Sequence, residues 1–351
     1  MLEVSGFNIF QIIVVSFLSS IILVPLSKKV AQHIGALDYP NERKIHKRIT
    51  PRLGGLAIFA SFLIGYMLYG DNSPQMLSIL IGSFVLFVMG MIDDINPLSS
   101  KSQFLVHLVV AAIVVFYGKI YLLQASFFGF DLVFPLPVAY TVSILFIVSL
   151  ISAINLVDGL DGMASGIGII YFITISIVAY LLNRFTGLEV TLALIMIGSL
   201  LGFLVYNFPP ASTFMGQCGS NFLGFMIAVT SLIGFKTTTF ISVIIPLVIL
   251  ALPIFDTAFS ILRRLLKGQG ITEPDREHFH HQLLKMKFSP RTSVLIIYLI
   301  NMLFAAVSIF YVLGDNTLAI ILYVSLMILL LFIVLKTDIL FEHKKGKKDE
   351  Q

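Results

Sequence analysis

Four aspartates fall in two short groups, Asp93-Asp94 and Asp158-Gly159-Leu160-Asp161, and each group lies where a long apolar run gives way to a polar break. A charged side chain at the centre of a bilayer costs about 2.5–3.5 kcal/mol on insertion scales, so carboxylates gathered at the ends of apolar runs need a function to hold them there. One Asp at such a boundary reads as a helix cap or a solvated end; four read as a shared site. Asp158 and Asp161 are three residues apart and share a face if the segment is helical, while Gly159 and Gly162 would let backbone approach a ligand closely. Carboxylates beside lysines and arginines suit Mg2+ and phosphate. Magnesium takes one or two carboxylates and completes its shell with phosphate oxygens and water, and basic side chains neutralise the charge spread over a transferring phosphoryl group.

Two further segments carry candidate ligands. His278-Phe279-His280-His281 follows Asp275, Arg276 and Glu277; without thiolates nearby, imidazole recognition of a phosphate or sugar is the better reading than zinc. Asp38-Tyr39-Pro40-Asn41-Glu42-Arg43-Lys44-Ile45-His46 leads into Pro51-Arg52-Leu53-Gly54-Gly55. This basic loop ends in Gly-Gly at a helix start, where free backbone N–H groups accept anions; a loop whose positive charge only sets membrane orientation is the competing reading. His33, His107 and His343 are isolated and read as structural. His46 alone would read the same way, and only its basic neighbours make it a candidate.

The elements that must position these groups are transmembrane helices. With 58% hydrophobic and 12% charged residues among 351 and a mean hydropathy of +0.98, the chain needs lipid as solvent. Crossing the hydrocarbon takes roughly 20 apolar residues per helix, and runs near 7–27, 53–69, 76–92, 103–118, 138–154, 163–182, 188–206, 222–236, 239–260, 292–312 and 317–335 qualify. The expected fold is an all-α polytopic bundle of about eleven spans, with the N-terminus outside and the C-terminus cytoplasmic. In this topology twenty of the 23 Lys and Arg residues lie in cytoplasmic connections, leaving Lys119, Arg184 and Lys236 outside, as the positive-inside rule requires. Residues 1–336 form one membrane domain and 337–351 a basic tail able to meet anionic headgroups. Every polar cluster then falls on the cytoplasmic face. The single cysteine, Cys218, rules out an internal disulfide and a cysteine metal cage, and reads as a small buried filler.

Six stretches in order, DYPNERKIHKRITPRLGG, GMIDD, NLVDGLDG, YNFPPASTFMG, PIFDTAFSILRR and PDREHFHHQLL, resemble the polyprenyl-phosphate N-acetylhexosamine-1-phosphate transferases over nearly the full chain. The resemblance implies transfer of a sugar-1-phosphate from a UDP-sugar to undecaprenyl phosphate at the inner face of a bacterial plasma membrane. UMP is released, and Mg2+ is the cofactor, with Mn2+ as an alternative. The form His-x-His-His resembles the N-acetylglucosamine branch that starts teichoic-acid or common-antigen lipids. By motif match, Asp93 and Asp94 would handle the lipid phosphate, Asn155 and Asp158 the metal and diphosphate, and Asp161 the nucleotide side. Phe214 would stack on uracil; without the resemblance it is a core phenylalanine. His278, His280 and His281 would bind the donor phosphates, with Arg43, Lys44, His46, Arg52, Lys101 and Asn207 as further substrate contacts. The bilayer is an obligatory partner, the resemblance allows a homodimer, and no nucleic acid is expected.

The match departs at three positions. Where the family reads Gly-Asp-x-Gly-Ser, with the Asp a magnesium ligand, this chain has Gly216-Gln217-Cys218-Gly219-Ser220. Gln217 therefore stands in the metal set with a neutral amide oxygen, which should weaken a hard-cation site. Ser152 replaces a usual asparagine and Gln103 a usual basic residue. A catalytically impaired paralogue that binds UDP-sugar or lipid is the alternative these changes leave open. A secondary transporter is a third reading, and it fits poorly because the acids gather at one interface rather than at the midplane.

Overall fold

A chain segment in hydrocarbon must satisfy its own amides, and helices do so within one segment. In the computed structural model, which describes residues 3–4, 7–40, 48–127, 130–183, 185–235, 248, 250–266, 278–314 and 316–336, the chain is accordingly a helix bundle with three two-residue to four-residue hairpins. The helices are α1 (Ile9–Ile34), α2 (Gly54–Tyr69), α3 (Pro74–Ile95), α4 (Ser100–Ala112, continued by a π-helical turn Ile113–Tyr117), α5 (Leu136–Val157) and α6 (Met163–Leu181). They continue as α7 (Leu188–Asn207), α8 (Gly216–Phe235), α9 (Ala251–Leu266), α10 (Phe279–Lys285), α11 (Pro290–Val312) and α12 (Asn316–Lys336). Ser-Pro pairs start two of them: Ser73 and Ser289 accept the amides of Met76 (3.2 Å) and Thr292 (3.1 Å), with proline in the first turn.

Among the described residues eight helices are long and apolar enough to cross a membrane, and two shorter apolar helices, Gly54–Tyr69 and Thr317–Phe332, accompany them. Ten of the expected spans thus appear as helices. The eleventh, near 239–260, lies partly outside the described residues; its described part is mainly the start of α9, which runs to Leu266 and carries its apolar residues on one side. Arg43, Lys44, His46 and the 337–351 tail also lie outside them.

Helices α1 and α8 stand at the two extremes of burial. The best window of α1 has a hydropathy of 2.5 and is 22% buried, whereas that of α8 has 1.2 and is 94% buried. Helix α8 is the axis, packed by α5, α3, α2, α7 and α6, so its neighbours are protein rather than lipid and it can carry Ser220, Asn221, Thr230 and Ser231. Interhelical hydroxyl bonds hold this interior: Tyr171 Oη to Ser231 Oγ (2.6 Å) joins α6 to α8, and Ser61 bonds Ser199 Oγ (2.9 Å) and donates to Ser16 O (2.7 Å), joining α2, α7 and α1. The expected run at 222–236 looked short because α8 begins at Gly216, six residues earlier. The Gly216–Ser220 motif is therefore the first turn of the central helix and not part of a connection.

Candidate active site

The C-terminal ends of α3, α5 and α7 meet the N-terminal ends of α2, α6 and α8. Asp94 lies at this junction. Its Oδ1 accepts the Gln217 amide (2.9 Å) and its Oδ2 the Cys218 amide (3.1 Å), so a carboxylate from α3 satisfies the otherwise unpaired first-turn N–H groups of α8. Arg52 Nη2 lies 3.7 Å from the same carboxylate, while its Nη1 lies 3.7 Å from Asp38. The antiparallel pairing of Leu37–Asp38 with Thr50–Pro51 sets that bridge. Asp93 Oδ1 accepts the Leu98 amide (2.7 Å) and Gln103 Nε2 (2.9 Å). Gln103 thus supplies a neutral donor where the resemblance expects a cation, and Lys101 is exposed at the start of α4. Cys218 is fully buried, consistent with a filler.

The Asp158–Gly162 segment is a turn and not a helix, which corrects the expectation that Asp158 and Asp161 share a helical face. The cause is local: Asp158 leaves the helical region at ψ 52, the Gly159 amide bonds Val157 O (2.7 Å), and Gly162 takes φ 76 before α6 begins. The two carboxylates diverge in use. Asp161 Oδ2 accepts the Ala211 amide (2.8 Å), pinning the α7–α8 connection. Asp158 is only partly buried. Burial first, then Asp94 and Asp161, push its carboxyl up to about 7 against the opposing pull of Arg52.

Asn207 is a clamp. Its Oδ1 accepts the Gly162 amide (3.0 Å) and Ser165 Oγ–H (3.1 Å), and its Nδ2 donates to Thr213 O (3.0 Å). Asn155 Oδ1 accepts the Ser220 hydroxyl (3.2 Å), tying the end of α5 to the start of α8. Gln217 Oε1 accepts Asn221 Nδ2 along its own helix (3.4 Å), and Ser152 turns its hydroxyl back to Val148 O (2.9 Å). Sequence reasoning gave no role to Ser220 or to Tyr298, which donates to Gly162 O. For Tyr298 the only available signal was a polar tip in an apolar run.

The Gly54-Gly55 helix start does not offer free amides to an anion, contrary to expectation. Gly54 N–H donates to Phe214 O (2.9 Å) and Gly55 N–H to Met215 O (2.8 Å), while Phe214 N–H donates to Pro51 O (2.8 Å). The glycine serves packing instead: a Cβ at Gly55 would collide with the Gly219 backbone, so its absence lets α2 and α8 approach. Phe214 is held in place by these two backbone bonds with its ring half-buried at the same junction.

The histidine cluster adjoins the aspartate turn. A Cβ on Gly159 would stand 2.5 Å from His280 Nε2, so His280 packs directly over the backbone between Asp158 and Asp161. Burial above all, with the neighbouring His281 next, lowers the His280 pKa to about 3 and keeps the ring neutral. The rings of His278 and His280 stack with centroids 5.7 Å apart, and those of His280 and His281 lie 4.2 Å apart.

Among the described residues no three His, Cys, Asp or Glu side chains converge as a complete metal cage. The donor set still fits magnesium, which is held by one or two carboxylates and otherwise by water and substrate phosphates. Oxygen donors dominate the junction, and the raised Asp158 carboxyl, with Asp94 and Asp161 nearby and Arg52 the opposing cation, reports negative charge that a cation would relieve.

A model described as Glycosyl transferase family 4 matches residues 76–235. A relative from Bacillus subtilis (strain 168), named as a probable undecaprenyl-phosphate N-acetylglucosaminyl 1-phosphate transferase, is 43% identical across 87% of this chain and 85% of that protein. The chain belongs to glycosyl transferase family 4. The decaprenyl-phosphate N-acetylglucosaminephosphotransferase of Mycobacterium tuberculosis (strain CDC 1551 / Oshkosh) is 31% identical across 78% of the chain and 74% of its own length. The undecaprenyl-phosphate alpha-N-acetylglucosaminyl 1-phosphate transferase of Escherichia coli (strain K12) is 29% identical across 84% and 81%. The family match covers α3 to α8, the helices and connections that carry Asp93, Asp94, Asn155, Asp158, Asp161, Asn207 and Gln217.

Proposed function

We propose that this protein transfers N-acetylglucosamine-1-phosphate from UDP-N-acetylglucosamine to undecaprenyl phosphate, releasing UMP, as the first membrane step of a cell-envelope polysaccharide. The observation that carries this reading is the seating of the Asp158–Asp161 turn between the Asp94–Arg52 junction and His280. Carboxylates, a guanidinium and imidazoles thus share one membrane face, where a water-soluble nucleotide sugar can meet a lipid phosphate. In the reaction an acceptor phosphate oxygen forms a bond to the sugar-bearing β-phosphorus as the bond from that phosphorus to the bridging oxygen breaks, and UMP carries that oxygen away. Such a transfer relies on positioning and charge neutralisation rather than on covalent help from the protein.

Mg2+, or Mn2+, would be held by Asp158 with the amide oxygens of Asn155 and Gln217, and when bound supplies charge neutralisation for the diphosphate. With that cation bound, Asp158 would be held ionised as its ligand, and the handling of the acceptor phosphate would fall to Asp93 and Asp94. Arg52 and the histidines line the donor side, and Phe214 offers an aromatic face for the uracil. The excess of Lys and Arg in the connections at this end of the helices supports a cytoplasmic active face. The test is transfer of label from UDP-N-acetylglucosamine to undecaprenyl phosphate in proteoliposomes. Magnesium-dependent labelled lipid is expected, and a folded preparation that yields none would refute the reading.

A further inference from the structure

Asp256 lies in the first half of α9, in the PIFDTAFSILRR stretch and outside the two aspartate groups, yet both its oxygens are engaged by the histidine cluster. Oδ2 is 3.0 Å from His278 Nδ1, and Oδ1 accepts the Phe279 amide at 2.8 Å. Both side chains of the pair are largely enclosed, 8% and 6% exposed. An ionised carboxylate only accepts hydrogen bonds, so opposite such a carboxylate the contact at Nδ1 calls for a ring N–H at that position. The second bond fixes the carboxylate's own orientation, because its two oxygens hold consecutive residues of one backbone turn. Val157, Met163, Leu252 and Ile297 line an apolar cleft that Asp256 and His280 also border. With both side chains so enclosed, water competes weakly for the pair.

The neighbouring ring is differently equipped. Neither nitrogen of the buried His280 has a partner among the described residues, and it lies parallel to His278 at an interplanar angle of 5°. His280 is the neutral packing ring over Gly159, and His278 is the ring with a carboxylate behind it. To donate from Nε2 to a phosphate oxygen while Nδ1–H stays on Asp256, His278 must carry two protons, and Asp256 balances the resulting charge.

We propose that Asp256 is a positioning residue: by holding Nδ1–H it fixes the orientation of the His278 ring, so that the Nε2 edge is presented to a diphosphate group of the nucleotide-sugar donor. This inference rests on the proposed function for the identity of that donor. The pairing itself does not depend on it.

The test uses the full chain labelled with 15N-histidine, in lipid nanodiscs. The ring-nitrogen signals of His278 are identified by their loss in His278→Gln. The parent is expected to show Nδ1 protonated, and Asp256→Asn to move the proton to Nε2. Titration with UDP-N-acetylglucosamine should show about tenfold weaker binding for Asp256→Asn, with Asp256→Glu recovering part of the loss. A parent whose His278 carries its single proton on Nε2 overturns the proposal, whether or not Asp256→Asn folds. Unchanged tautomer and affinity in a folded Asp256→Asn also overturn it. A parent with the expected tautomer that binds no UDP-sugar overturns the donor assignment and the proposed function together, while the Asp256–His278 pairing stands.

Discussion

Replacing Asp158 by asparagine should stabilise the protein while abolishing its turnover. In the folded chain this carboxyl is raised from 3.8 to about 7, so the folded state binds its proton more tightly than the unfolded state does. Between those values the folded protein holds more protons, and stability falls as pH rises. The penalty is absent below about pH 4 and complete above about pH 7. A gap of that size corresponds to about 4 kcal/mol, and solvent at the partly open side of the residue screens it to about 2 kcal/mol. Asparagine keeps the shape without the charge. In metal-free detergent at about pH 8, Asp158→Asn should therefore unfold several degrees above the parent, and near pH 4 the two should coincide. The chain offers a clean reporter, since it has no tryptophan and a single, fully buried cysteine. A fluorogenic maleimide reads unfolding as exposure of Cys218. Added magnesium should raise the parent's transition at high pH, because it binds the folded state, and should leave the variant's unmoved. A variant that unfolds below the parent at high pH, or a difference that does not vary with pH, would refute the electrostatic account of this site.

Other changes follow from the same contacts. Gln217→Asp adds a charged oxygen at the start of α8, and the magnesium concentration for half-maximal rate should fall by about tenfold, measured by metal titration of the transfer assay. Asn207→Ala strips partners from the Gly162 amide, Ser165 and Thr213 O; thermal unfolding should show a loss of about 2–3 kcal/mol, with turnover reduced because the aspartate turn is released. Gly55→Ala forces a methyl into the α8 backbone and should cost at least about 1–3 kcal/mol, visible as a lowered transition or a failure to recover monodisperse protein.

Much of this architecture is legible in the sequence because lipid imposes a simple code. Apolar runs of span length and the placement of Lys and Arg mark α2 to α7, α11 and α12 within a few residues, and α1 except for its last seven residues beyond 27. Helix α8 is the exception: surrounded by protein, it tolerates Gln217, Ser220 and Asn221, so hydropathy misses its first turn. The candidate site was legible as residue types, and Asp94 and Asp161 lie near enough to act on the Asp158 carboxyl, while Asp93 is taken up by the Leu98 amide and Gln103. Their individual partners were not, because they depend on long-range pairings such as Asp94 with the Gln217 amide, separated by 123 residues. The Gly54-Gly55 start misled for the same reason: whether a helix-end amide is free depends on what packs against it, here the carbonyls of Phe214 and Met215. That Asp256 faces His278 is visible only in the fold.

The most direct measurement is the identity of both products formed from UDP-N-acetylglucosamine and undecaprenyl phosphate by the purified chain with magnesium. Phosphoglycosyl transfer predicts UMP and, by mass spectrometry, a lipid carrying two phosphates and one N-acetylhexosamine. UDP with a lipid that keeps a single phosphate would mean that the glycosidic bond is cut instead, and would contradict the account at its centre.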